Sequence, residues 1–149
     1  MKRKKRLPYG FQTIDRDDIR SVSLALKNDF LTTGPLVEKF ESRLKSLTQA
    51  KHAVACANGT AALHLACNAI SLQKGDWVIV PSVTFLATAN AVRFCGADVF
   101  FSDVDENTGQ ITPEILERAF KEADRKCLKI NAVIVVHLTG RPVNLKEIS

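Results

Sequence analysis

From residue 15 onward the apolar positions recur at helical intervals. Ile19, Val22, Leu24, Ala25 and Leu26 come at spacings that can share a face, and Asp15, Asp17 and Asp18 stand where the positive end of a helix dipole favours acid. This helix is expected to end near Asn28. The stretch DFLTTGP then breaks the period with Gly34 and Pro35, and a second helix is predicted from Pro35 to Leu47, with Val37, Phe40, Leu44 and Leu47 on one stripe. Both helices read as amphipathic and surface-packed.

After Gln49 the texture changes to short apolar runs alternating with helical segments, the pattern of strand-helix-strand units around a parallel sheet. The predicted strands are His52–Ala57, Trp77–Val80, Asp98–Ser102 and Asn131–His137, and the helices between them Thr60–Leu72, Thr84–Cys95 and Pro113–Ala123. Thr112 and Pro113 form an N-cap and N1 pair. Runs apolar on both sides, such as AVIVV, imply a sheet covered on both faces. The fold class is therefore α/β. In such a sheet a ligand lies beyond the carboxyl ends of the strands, which directs attention to the loops NGT, PSVTF, DVDENTG and HLTGRP.

Composition narrows the class of molecule. The 149 residues suit one domain, and 46% hydrophobic with 25% charged residues is ordinary for a chain with a buried core. The net charge of +5 is carried by residues 2–6 of MKRKKR, so it reads as a solvated tail and not as a nucleic-acid surface. No run is long enough to span a membrane and no apolar segment follows the basic start, so a cytoplasmic location is expected. Cys56, Cys67, Cys95 and Cys127 show no CxxC spacing; buried, reduced thiols are expected and no metal site.

The NGT loop sits where a strand ends and a helix begins. Gly59 would allow a tight turn and close approach of a ligand, and the amides of Gly59, Thr60 and Ala61 would open a helix whose dipole favours an anion, with the Thr60 hydroxyl beside them. A plain alternative is that Asn58 only caps the helix. The glycine fingerprints of dinucleotide and Walker loops are both absent, which weakens an unrelated nucleotide-binding domain as a reading. Phe85, in PSVTF, is either a core residue or an aromatic platform beside that loop. Phosphate loop and platform together suit a planar phosphorylated cofactor such as pyridoxal 5'-phosphate.

In this order, LPYGFQTIDRDDI, DFLTTGPLVEKFE, HAVACANGTAALHLA, PSVTFLATANAV and VVHLTGRPVNL resemble the DegT/DnrJ/EryC1/StrS sugar aminotransferases. The likeness runs from Tyr9 onward and is nearest to the branch that transaminates a UDP-linked 4-keto-6-deoxy-N-acetylhexosamine on the way to pseudaminic acid. It implies the N-terminal part of the large domain of a type I pyridoxal-phosphate transferase. Residues 1–6 are then a basic tail, 7–48 an N-terminal helical segment and 49–149 an incomplete α/β cofactor-binding domain. By resemblance Gly59 and Thr60 hold the cofactor phosphate and Phe85 stacks on its ring, while Tyr9, Asp29, Phe30, Leu31, Thr32 and Asn58 line the nucleotide-sugar site. The amino donor implied is glutamate and the assembly a homodimer with active sites at the interface. His137 and Gly140 match a strand-end element whose role is structural or supports the site at one remove from the ligand.

Such an enzyme also needs a Schiff-base lysine and an acid for the pyridinium nitrogen. The family's motifs for both do not occur in these residues, so no catalytic residue is assigned. The chain alone is expected to be inactive, its truncated sheet exposing apolar surface. A noncatalytic remnant, or one half of a split enzyme that keeps only the phosphate loop, is the alternative.

Overall fold

The computed structural model describes residues 10–148. Tyr9 and the basic tail lie outside the described residues. The chain divides into two compact units, one running to Ala55 and the other starting at Cys56.

In the first unit, α1 spans Arg16–Ala25 and opens on a reciprocal cap. Asp15 Oδ1 accepts from the amides of Asp17 (2.8 Å) and Asp18 (3.0 Å), and Asp18 Oδ2 accepts from the Asp15 amide (3.0 Å). α1 stops at Ala25, short of the expected Asn28, and a turn leads to α2, Pro35–Thr48, which Gly34 and Pro35 start as anticipated. Neither helix has a buried residue. Their apolar stripes, with Ile19, Val22, Phe40 and Leu47, face solvent in the described chain.

His52–Ala57, expected as a strand, forms no ladder. Its residues have the right composition, but a strand exists only where a neighbour takes its backbone groups, and none of the described strands pairs with it. The Ala55 amide instead donates to Glu41 Oε1 at 2.8 Å.

The second unit is built on three parallel strands, β1 (Trp77–Pro81), β2 (Asp98–Ser102) and β3 (Ile130–Val133), in the order β2-β1-β3. β1 is central and its side chains alternate between two layers. Val78 and Val80 pack with Cys67 and Leu72 and with Ala91 and Val92 of α4 (Ala87–Phe94). Ile79 packs on the opposite face with Leu116, Ala119 and Ala123 of α5 (Pro113–Arg125). Cys67 belongs to α3 (Gly59–Ala69). Both faces are covered, as the two-sided strands required, and the α/β class is the one observed. A 3-10 turn (Leu138–Gly140) and the short α6 (Leu145–Ile148) close the described chain.

β3 is shorter than the expected Asn131–His137. An irregularity shifts its register between Trp77 and Val78, and past Val133 only the Ile134 amide still reaches β1, at the Ile79 carbonyl (2.9 Å). β1 itself ends at Pro81, which has no amide to lend. α4 begins at Ala87, three residues after the expected Thr84, because residues 82–86 form a loop. Among the cysteines, Cys67 is buried and Cys95 half-buried, but Cys56 and Cys127 are exposed, contrary to expectation. Cys56 lies in the unladdered segment and Cys127 just past the end of α5. Burial, with Cys95 beside it, pushes the Cys67 thiol up, which suits a core residue.

Because the chain passes from β1 to β2 and then back across to β3 on the far side of β1, the strand order reverses at β1. A ligand crevice is expected outside the carboxyl end of that strand.

Candidate functional site

Two elements of the second unit meet in one cleft. α3 enters on Asn58, which is extended (φ −167°) and whose Oδ1 accepts from the Ala61 amide at 2.9 Å. The Ala62 amide closes the first turn on the Asn58 carbonyl at 3.1 Å. This corrects the expectation of three free amides. Ala61 is taken by the cap, and the amides of Gly59 and Thr60 are the two that donate to no protein acceptor among the described residues. The Thr60 hydroxyl also makes no protein hydrogen bond among them. No acidic residue sits in the first turn of α3 to offset the positive end of its dipole.

Gly59 is not needed for a special turn: it is the first residue of the helix, and a Cβ built there would meet no heavy atom within 4 Å. The protein leaves that space open, which fits a glycine kept for close approach of a ligand.

Phe85 lies in the loop after β1 and is 77% exposed. It is therefore not the core residue that was its plain alternative. Gly59, Thr60, Leu63, Ala66, Phe85 and Thr88 line the cleft, whose volume is about 570 Å3. Its lining combines the amide and hydroxyl donors of Gly59 and Thr60 with the apolar and aromatic surface of Leu63, Ala66 and Phe85. Such a site accepts an anion attached to a planar apolar body, and a phosphorylated pyridine fits that donor set.

The remaining expected residues are distributed otherwise. Asp29, Phe30, Leu31 and Thr32 occupy the exposed turn between α1 and α2 in the first unit. Asn58, spending its oxygen on the cap, keeps its NH2 group as a donor. His137 has the structural part expected of it: Nδ1 accepts from the Val143 amide at 3.0 Å and holds the turn after β3. Thr88, 4% exposed, was not singled out from the sequence. Its only signal was its place one helical turn after Phe85.

The family model for the DegT/DnrJ/EryC1/StrS aminotransferases matches residues 12–149. The chain belongs to this family. Members of the DegT/DnrJ/EryC1/StrS family depend on pyridoxal 5'-phosphate. Spore coat polysaccharide biosynthesis protein SpsC of Bacillus subtilis (strain 168) is 38% identical over 147 residues, covering 99% of this chain and 36% of SpsC. Among solved structures, a DegT/DnrJ/EryC1/StrS aminotransferase from Brucella abortus is 34% identical with a TM-score of 0.76, over 87% of this chain and 34% of that one. The Spr1654 protein of Streptococcus pneumoniae, solved in its PLP-form, is 29% identical with a TM-score of 0.85, over 95% of this chain and 35% of that one. The chain thus spans about a third of the length of these family members.

Proposed function

We propose that this chain is the N-terminal, phosphate-holding part of an aminotransferase that uses pyridoxal 5'-phosphate to place an amino group on C4 of a UDP-linked 4-keto-6-deoxy-N-acetylhexosamine. Glutamate is the amino donor, pseudaminic acid the end of the route, and a homodimer the working assembly. The observation that carries the reading is the pairing, in one cleft, of the Gly59 and Thr60 amides, which have no protein acceptor among the described residues, with an outward-facing Phe85. Kinship with a polysaccharide biosynthesis protein supports a sugar substrate.

In this reading the Gly59 and Thr60 amides and the Thr60 hydroxyl bind the phosphate, the open space at Gly59 admits it, and Phe85 orients the ring. The bound cofactor would supply an electron sink for the carbon undergoing amine exchange. Asn58, through its NH2 group, and Tyr9 with Asp29, Phe30, Leu31 and Thr32 contact the nucleotide sugar.

The test is turnover by the protein expressed from the full reading frame, with glutamate and the UDP-4-keto sugar, scored by mass spectrometry of the amino sugar. Product supports the reading. Amination of other nucleotide sugars but not this one removes the finer substrate. Binding of pyridoxamine 5'-phosphate without turnover on any keto sugar favours a noncatalytic remnant. Thr60→Ala should weaken cofactor retention, and unchanged retention removes Thr60 from the anchor.

A further inference from the structure

An aromatic ring that is 77% exposed has almost no packing to fix it, so its direction depends on how its backbone is held. The loop carrying Phe85 is tied at its start, where the Ser82 amide donates to the Ser102 carbonyl at 2.9 Å. At its far end the Leu86 carbonyl accepts from the Asn90 amide at 3.1 Å, and the ties on either side of Phe85 come from Thr88. Its amide donates to the Phe85 carbonyl at 3.0 Å, and its hydroxyl pairs with the Thr84 hydroxyl at 2.8 Å. Phe85 is thus bracketed, with its preceding residue and its own carbonyl both bonded to Thr88.

The hydroxyl pair is not an ordinary helix cap. A capping hydroxyl accepts from a backbone amide of the first turn, whereas α4 has no side-chain cap and Thr84 bonds to another side chain. Thr88 is also nearly buried at the wall of the cleft.

We infer that Thr88, acting with Thr84, is a positioning residue that sets the Phe85 ring before a ligand arrives. The inference rests on the proposed site, in which Phe85 stacks on a planar phosphorylated ligand. Fixing the platform beforehand spares the ligand part of the ordering it would otherwise impose. Valine at 88 keeps the shape and removes the hydroxyl, and serine keeps the hydroxyl.

The experiment titrates the full-length protein with pyridoxamine 5'-phosphate, which binds without a Schiff base, followed by fluorescence and by circular dichroism of the bound chromophore. Thr88→Val should weaken binding roughly threefold to tenfold, the scale of one lost neutral hydrogen bond, and reduce the induced dichroism. Thr88→Ser should restore both, and Thr84→Val should reproduce the loss. In a double-mutant cycle Thr88→Val should couple with Phe85→Ala and add independently to Thr60→Ala. If Thr60→Ala and Phe85→Ala weaken binding while Thr88→Val and Thr84→Val leave affinity and dichroism unchanged, the inference is overturned and the site stands. Additivity with Phe85→Ala overturns it as well. If none of the variants alters binding, the proposed site itself is wrong. Should Thr88→Val fail to fold, Thr84→Val carries the same test from the more exposed partner.

Discussion

Replacing Asn58 by aspartate separates its capping role from the anion site beside it. Aspartate caps as well as asparagine, and its oxygen can keep the 2.9 Å bond from the Ala61 amide. A negative charge at a helix N-terminus adds about 0.3–1 kcal/mol, so the melting temperature should hold or rise slightly. A phosphate on the neighbouring Gly59 and Thr60 amides would, however, lie about two hydrogen-bond lengths, roughly 6 Å, from the new carboxylate. In a water-like dielectric, suited to this exposed helix end, two unit charges at that distance repel by about 0.7 kcal/mol. With about −1.5 to −2 on a phosphate monoester the repulsion is about 1.0–1.4 kcal/mol, or roughly fivefold to tenfold in affinity. The assay is a titration of wild type and Asn58→Asp with pyridoxamine 5'-phosphate at low salt and at about 1 M salt, where the Debye length of about 3 Å should close most of the gap. Asn58→Ala should do the reverse, costing about 1 kcal/mol of stability with no electrostatic loss of binding. Equal affinity of Asn58→Asp and wild type at low salt, with the protein folded, would refute placement of the phosphate at this helix end.

The other expectations concern the scaffold and its loops. Ile79 is fully buried at the centre of the sheet, so Ile79→Ala should cost about 2–5 kcal/mol and lower the urea midpoint by roughly 1–2 M; a shift within error would mean that this layer is not packed as described. Gly109 has φ +66° and its added Cβ would come within 2.5 Å of Leu138 Cδ2, so Gly109→Ala should lose about 1–2 kcal/mol in the same melts; no loss would place residue 109 in another conformation. The Thr108 hydroxyl, then the Thr108 and Asn107 amides, hold the Asp105 carboxyl below its ordinary value of 3.8. Because the folded value is depressed, its contribution is complete above that ordinary value and fades as pH falls through the lower folded one. NMR titration of the carboxyl carbon should show this low midpoint, and a midpoint at or above the ordinary value would contradict the bonding.

The helices were legible because their signals are local. Asp15 with Asp18, Gly34 with Pro35, and Thr112 with Pro113 mark starts by chemistry within one turn, and each start is where those residues placed it. The two-sided covering of the sheet was legible too, since Val78, Ile79 and Val80 leave no polar face to water. Strand extent was not, because a strand's length is set by its neighbours. His52–Ala57 has strand composition without a ladder, and the β3 ladder stops at the Ile79–Val133 pair, beyond which Pro81 has no amide to continue it.

At the cleft the division is similar. The residues alone named Gly59, Thr60 and Phe85, since a small, polar helix entrance and an aromatic after a strand are visible one loop at a time. That Asn58 takes the Ala61 amide, leaving two donors and not three, depends on the rotamer and backbone at the cap. That Phe85 faces out, and that Thr88 brackets it, depends on where the loop leaves β1 and turns into α4. The sequence by itself determined which groups could bind an anion and a ring. Only the tertiary structure decided which of them are unspent and share one opening, because hydrogen-bond partners and exposure belong to the packed chain and not to any single segment.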